Sequence, residues 1–322
     1  VAPFQRTQFA FYLNAACVKE EIHIDDQFIA RLRRLMGEFP AGAKDMLLAF
    51  DYYHDDAGQA RLERSTFHTP NNYAAHIAKQ MPDRFEWIAS IHPYRPDAIE
   101  ALTAAIAQDV RAVKWLPPAM GIDPSSSRCD AFYETLVRHN IPLLSHAGHE
   151  HAVDAADLQR LGNPLLLRRA LDHGVRVIVA HCASLGSNVD LDVGASGPEI
   201  PNIDLFARMM GEARYEGRLI GDISAVIQVN RDDDVLRRIV LDRDWHPRLI
   251  NGSDYPLPAV MPVISVSKFV SRGYLSAAEA DVLSQIRQYN ALLFDFILKR
   301  RLRIDGVSLP ESVFQTRGFF KQ

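Results

Sequence analysis

Short apolar runs along this chain end, one after another, on a residue that can do chemistry. Ile141-Pro142-Leu143-Leu144 stops at Ser145-His146, and Val175-Arg176-Val177-Ile178-Val179-Ala180 stops at His181-Cys182. Leu249-Ile250 runs into Asn251-Gly252-Ser253-Asp254, and Val110-Arg111-Ala112-Val113 meets Lys114-Trp115. Further apolar runs are Met46 to Phe50, ending at Asp51-Tyr52-Tyr53-His54, Phe85 to Ile91, ending at His92-Pro93, and Leu219 to Ile223. Nearly continuous apolar runs of this length, bounded by polar turn residues, predict parallel strands buried on both faces.

Helical spacing fills the intervals. Phe28, Ile29, Leu32, Leu35, Met36 and Phe39 fall on one face of a helix over 25–39 with Asp25 or Asp26 as its cap. Further helices are predicted near 71–81, 97–108, 130–140, 203–216, 232–241, 276–287 and 288–301. Asn163-Pro164 is a helix start and His173-Gly174 a helix stop. Residues 183–202, with Gly186, Gly194 and Gly197, read as a long polar loop and a candidate lid.

Strands alternating with helices along the whole chain predict an α/β protein built of parallel βαβ units. An open doubly wound sheet would show a Gly-rich phosphate turn after its first strand, and this chain has none. The expected architecture is therefore a (β/α)8 TIM barrel in one domain over 1–322, with 302–322 as a C-terminal tail. Seven strands are visible. The first barrel strand is expected either upstream of Val1 or in degenerate form within residues 1–20, which show no clear period.

Composition narrows the class. The 322 residues are 48% hydrophobic with a formal charge of −4, so neither nucleic acid nor an anionic membrane is an expected partner. Basic clusters at Arg31, Arg33 and Arg34 and from Lys299 to Arg303 read as solvated helix faces or subunit contacts. Aromatic residues between Glu311 and Phe320 look exposed and suggest packing on a neighbouring copy, hence a homo-oligomer of two or more chains. Cys17, Cys129 and Cys182 form no Cys-x-x-Cys pair, which fits a reducing compartment. No basic-then-apolar stretch opens the sequence, and no apolar run approaches the roughly 18 residues of a membrane span. The expectation is a soluble, cytoplasmic enzyme acting on a small molecule.

In a parallel barrel, residues at the C-terminal ends of strands converge on one cavity. The chain places Lys114, His146, His181 and Asp254 at such ends in that order. Imidazole and carboxylate are ligands of a divalent ion such as zinc, which lowers the pKa of a bound water toward neutrality. Asp254 can also move the proton during attack. An ammonium repels a metal, so Lys114 joins the ligands only if carbamylated; otherwise it pairs with substrate or serves, desolvated, as a Schiff-base nucleophile.

These motifs, Ile-Pro-Leu-Leu-Ser-His, Val-Ile-Val-Ala-His-Cys and Ile-Asn-Gly-Ser-Asp-Tyr-Pro, with Tyr289-Asn290-Ala291-Leu292-Leu293-Phe294 behind them, resemble the amidohydrolase superfamily. The resemblance runs from about residue 40 to 300 and is to its amidohydrolase-2, ACMSD-like branch of TIM-barrel metal-dependent hydrolases. It implies that His146 and Asp254 are metal ligands, and that His181 is a second-metal ligand or polarises substrate or water. It implies zinc, one ion or two, with manganese as the alternative. Lys114 matches the position where some members carry a carbamylated, metal-bridging lysine. The family's first-strand His-x-His is not in this chain: His23-Ile24-Asp25 follows the charged run Lys19-Glu20-Glu21 rather than an apolar strand.

The implied activity is hydrolysis of a C–N or C–O bond in a small, carboxylated or cyclic amide, lactone or ester. Non-oxidative decarboxylation, found in the same branch, is the alternative, followed by a Schiff-base lyase and an inert binding barrel. His92, Trp115 and His149 are the expected substrate contacts, with Trp115-Leu116-Pro117-Pro118 as an apolar wall. His151, Asp51, His54, Asp222 and Ser224 are weaker candidates for the cavity.

Overall fold

A computed structural model describes residues 3–19, 22–153 and 155–320. The strands are β1 (Asp45–Leu48), β2 (Phe85–Ile88), β3 (Val113–Trp115), β4 (Leu143–His146), β5 (Val177–Ala180), β6 (Ser187–Val189), β7 (Glu199–Pro201), β8 (Leu219–Asp222) and β9 (Leu249–Ile250). The chain divides into two compact units. One comprises Asp45–Ile223, Arg248–Ile250 and Thr316–Gln322; the other comprises Val1–Lys44, Ser224–Pro247 and Asn251–Gln315.

All nine strands belong to the first unit. β1 pairs parallel with β2, and β3-β4-β5-β8-β9 form one parallel sheet in that order. A parallel bridge from Ala89 to Val113 joins β2 to β3. Each of the seven expected strands is thus present, and neighbours in sequence are neighbours in space, with helices in the connections. An eighth, first strand is not found within residues 1–20 as far as they are described, because Pro3–Ala15 is a helix.

The register explains why these runs are nearly continuous in apolar residues. Lys114, Leu144, Ile178 and Ile220 lie side by side, as do His146 and Ala180, so these side chains share one face of the sheet. On that face Ile88, Ala112, Ile178 and Ile220 form a core cluster with Met46, Leu48, Leu144 and Ile250 packed against it. Alternate positions face the other way, and Trp115 stacks there on Phe132 and Tyr133 of the helix Asp130–Arg138, with ring centroids 5.5 and 5.7 Å away.

The C-terminal segment is spent inside the chain, contrary to its exposed appearance in sequence. Phe320 joins the core cluster, and Phe319 packs against it. Arg176 donates to the Phe319 carbonyl at 2.7 Å and lies 4.8 Å over the Phe319 ring. Arg317 and Arg111 both reach the buried Glu86 carboxylate, at 3.4 and 3.2 Å. Burying such an aromatic ring contributes about 1.5–3 kcal/mol.

The polar stretch 183–202 is not a free loop. β6 and β7 form an antiparallel hairpin, with Ser187 opposite Pro201 and Val189 opposite Glu199. Asn188 donates to Asn202, Asn202 to the Leu185 carbonyl and Asn163 to the Val189 carbonyl. Arg208 forks onto Asp190 and also reaches Asp192, which Arg168 holds from the other side. These polar contacts hold the stretch as an ordered hairpin.

The second unit is mainly helical. Ser276 and Glu279 form a capping box on the helix Ala277–Tyr289, and Asn290 caps Ala291–Arg301 through its side-chain oxygen. The Asn290 amide nitrogen also donates to the Leu35 carbonyl at 2.8 Å. Lys299 corrects the expectation of a solvated basic face: it is 1% exposed, paired with Asp295 at 2.7 Å, and donates to the Gly252 carbonyl at 2.8 Å. This cation therefore braces the Asn251-Gly252-Ser253-Asp254 turn. Among the described residues no helix is long and apolar enough to cross a membrane.

Candidate active site

Two imidazoles stand at the C-terminal ends of neighbouring strands. His146 is the last residue of β4, and His181 directly follows β5. Their ring centroids are 5.4 Å apart at an interplanar angle of 66°. Ala180, level with His146 in the register, leaves a small side chain in that layer.

Each imidazole has a carboxylate beside its Nδ1. Glu150 Oε2 lies 3.4 Å from His146 Nδ1, and Asp222 Oδ2 lies 3.9 Å from His181 Nδ1. All three of His146, Glu150 and Asp222 are buried. A carboxylate at that side favours a proton on Nδ1 and leaves Nε2 as the basic nitrogen. Glu150 was not anticipated from the sequence; its spacing of four from His146 was the available signal.

His181 sits in a strained turn. His181, Cys182 and Ala183 have φ of 57°, 49° and 51°, three left-handed non-glycine residues in succession. Each such residue costs about 1–2 kcal/mol. Asp222 holds the turn: its carboxylate accepts the His181 backbone N–H at 3.2 Å, and its carbonyl accepts from Cys182 Sγ at 3.4 Å. Burial pushes the Cys182 thiol well up, so it remains a donor rather than a nucleophile.

Lys114 is buried and shares the inner face with Leu144, one layer deeper than His146. Trp115 takes the opposite side. It is fully buried, and its Nε1 donates to the Ile91 carbonyl at 2.9 Å, so its ring belongs to the helix-facing layer and not to a substrate wall.

His92 is likewise not open to a ligand. Its Nε2 donates to the Met120 carbonyl at 2.9 Å, and its Nδ1 accepts the Tyr94 N–H at 3.1 Å. Burial, with His54 nearby, brings its pKa down to about 3. His54 stacks on it with centroids 4.6 Å apart and points Nδ1 at the Tyr52 carbonyl, 2.9 Å away. Asp51 is buried between the His92 N–H at 2.8 Å and Arg95 at 3.0 Å.

His149 is a clip between two loops. Its Nε2 lies 2.8 Å from the Ser187 carbonyl, and its ring occupies the space a Cβ at Gly186 would need, 2.2 Å from its Cγ. Gly186 also has φ +73°, so both the close approach and the backbone require glycine there. His151 is exposed. In the other unit, Asp254 has φ 55° and Ser224 is buried.

His146 and His181 with Glu150 and Asp222 are donors of the right kind for a metal centre, imidazoles with orienting carboxylates. Among the described residues, however, no three His, Cys, Asp or Glu side chains come together closely enough to hold an ion. The arrangement supplies two imidazoles of the usual three or four ligands.

The chain was compared with known proteins. No curated protein matches it. Among solved structures, an uncharacterized TIM-barrel protein from Bordetella bronchiseptica superposes with a TM-score of 0.51 at 14% identity, over 78% of each chain. A protein assigned as a 2-pyrone-4,6-dicarboxylic acid hydrolase from Pseudomonas putida gives 0.47 at 14% identity, over 88% of this chain and 98% of its own. A 5-carboxyvanillate decarboxylase from Novosphingobium aromaticivorans, solved with manganese, gives 0.40 at 13% identity, over 58% of this chain and 59% of its own. The first of these agrees with the TIM-barrel fold built up above. The family model Amidohydro_2, described as amidohydrolase, matches residues 27–291. With most of its length inside that match, the chain belongs to the amidohydrolase family of TIM-barrel enzymes.

Proposed function

We propose that the chain is a metal-dependent hydrolase that attacks a C–N or C–O bond of a small amide, lactone or ester, with water as nucleophile. The observation that carries this reading is the facing pair His146 and His181, each with a buried carboxylate at its Nδ1, in a member of this family. In the family a divalent ion supplies an activated water, and His146 is the imidazole that would hold it, zinc first and manganese as the alternative, with His181 left to assist.

The chain's own groups divide the remaining work. Glu150 and Asp222 keep the two Nε2 atoms basic. His181, anchored by Asp222, takes a proton during attack and returns it to the leaving nitrogen or oxygen. Asp254 is proposed from its motif as a metal-ligating and proton-carrying carboxylate, and Lys299 braces its turn. Lys114 neutralises a substrate carboxylate, or adds ligand oxygens if carbamylated.

The His181–Asp222 pair also suits the second reading, decarboxylation of a carboxylated ring, in which His181 delivers a proton to the carbon that loses carbon dioxide.

Metal content of the purified chain after incubation with zinc or manganese is the test, together with turnover of lactone, ester, amide and carboxylated aromatic panels. About one bound equivalent, lost in His146→Ala, with hydrolysis on one panel, is expected. Carbon dioxide release without hydrolysis selects the decarboxylase. Retained activity in chelator with borohydride trapping at Lys114 overturns both.

A further inference from the structure

We infer that Glu150 is a positioning residue that sets which ring nitrogen of His146 carries the proton. The inference rests on the proposed place of His146 at the reacting site, but its test does not.

The two carboxylate oxygens of Glu150 have different duties. Oε1 accepts two backbone N–H groups of its own loop, from Ala152 at 2.5 Å and Val153 at 3.3 Å. Oε2 is the oxygen that lies 3.4 Å from His146 Nδ1. The main chain of Glu150 is itself clamped by the Gln159 side chain, which accepts the Glu150 N–H at 2.8 Å and donates to the Glu150 carbonyl at 2.7 Å. The carboxylate therefore cannot turn away from His146 without giving up the loop amides. Both side chains are buried, Glu150 at 8% and His146 at 5% exposure, so solvent does little to blunt their interaction.

A neutral imidazole in water prefers the proton on Nε2. A carboxylate oxygen held beside Nδ1 reverses that preference, because it attracts a proton at Nδ1 and repels a lone pair there. His146 then carries its lone pair on Nε2, and its ring lies 5.4 Å from that of His181. The arrangement makes His146 a base or ligand instead of a donor.

Glu150→Gln separates the two duties. The two loop amides need an acceptor, so the Gln oxygen takes the place of Oε1 and its NH2 group takes the place of Oε2. His146 Nδ1 then faces a donor and must accept, which moves the proton to Nε2 with the fold unchanged.

The experiment uses the full chain with 15N-histidine, read by long-range 1H–15N correlation at alkaline pH, the His146 signals being identified by their loss in His146→Asn. In the unsubstituted chain Nδ1 is expected to give the protonated-type signal and Nε2 the lone-pair type. In Glu150→Gln the two exchange. Glu150→Asp, which withdraws the carboxylate by one methylene, is expected to give both tautomers and serves if the Gln variant does not fold. Protonated Nε2 in the unsubstituted chain, or no change in either variant, overturns the inference.

A kinetic arm keeps the two readings apart. On a substrate from the panels above, Glu150→Gln is expected to lower kcat about 10- to 100-fold with KM little changed. An inverted tautomer in a chain that turns over nothing supports the role of Glu150 and sinks the hydrolase. Turnover with a tautomer that does not move does the reverse.

Discussion

His54 and His92 face each other beyond β1 and β2 with ring centroids 4.6 Å apart, and His146 and His181 face each other beyond β4 and β5 at 5.4 Å. Both pairs belong to the same unit and both follow strand ends. In the first pair His92 gives both nitrogens to backbone groups, so its proton is fixed and burial disfavours its charged form. In the second, each Nδ1 faces a carboxylate, which favours the proton there and leaves the lone pair on Nε2. A histidine at a barrel mouth is thus sorted into structure or chemistry by what its Nδ1 and Nε2 are offered, and position along the strand does not decide it.

The largest expected separation between the pairs is in rate. His146→Ala and His181→Ala are each expected to lower kcat/KM roughly 1000-fold, within the range for loss of a proton-transferring or activating group. Their denaturation midpoints should stay close to that of the unsubstituted chain. Loss of stability without this rate defect would place the second pair with the first.

His92→Ala should behave in the opposite way. It removes a fully buried ring with two fixed hydrogen bonds, and about 3 kcal/mol of stability is expected to go with it. Urea unfolding measures this, and kcat at low temperature, where the variant stays folded, should change less than 10-fold if the ring's role is structural.

Much of this molecule could be read from its sequence because strands buried on both faces leave short apolar runs bounded by turn residues. The seven strands fell where the runs did, and His146 and His181 were found because a buried run that stops at an imidazole is informative. What stayed hidden depends on which way side chains point and what packs against them. Trp115 looked like a cavity wall, yet it alternates with Lys114, and one residue of parity sends it to the helix side. The hairpin of β6 and β7 hid in a polar stretch because its pairing carries few apolar residues. Phe319 and Phe320 looked exposed because their partners lie on strands far earlier in the chain. Lys299 looked solvated because its partner beyond the helix, the Gly252 carbonyl, lies 47 residues earlier in the chain. Glu150 escaped because Ala152 and Val153 bind one of its oxygens and His146 faces the other, and neither relation shows in a spacing alone.

Asp222→Asn sharpens the comparison from the side of the carboxylates. The amide oxygen can still accept the His181 backbone N–H, so the left-handed turn should persist. The charge beside His181 Nδ1 is lost, and kcat is expected to fall about 100-fold. Circular dichroism unchanged alongside that fall assigns the effect to His181 and not to the turn.

The smallest effect distinguishes the pairs by acid. His92 has a folded pKa of about 3 against an ordinary value of 6.5, because burial penalises its charged form. Protons therefore bind the unfolded chain first. The stability contributed by neutral His92 is fully present above pH 6.5 and falls as the pH drops toward 3, by about 1.4 kcal/mol for each unit below 6.5. Unfolding measured in urea at pH 7.5 and 5.5 should show the unsubstituted chain losing about 1.4 kcal/mol more than His92→Ala over that interval. Equal losses in the two proteins would mean that His92 can take a proton where it stands. The backbone hydrogen bonds that set it apart from His146 and His181 would then have failed to fix its charge, and the contrast between the pairs would rest on the neighbouring carboxylates alone.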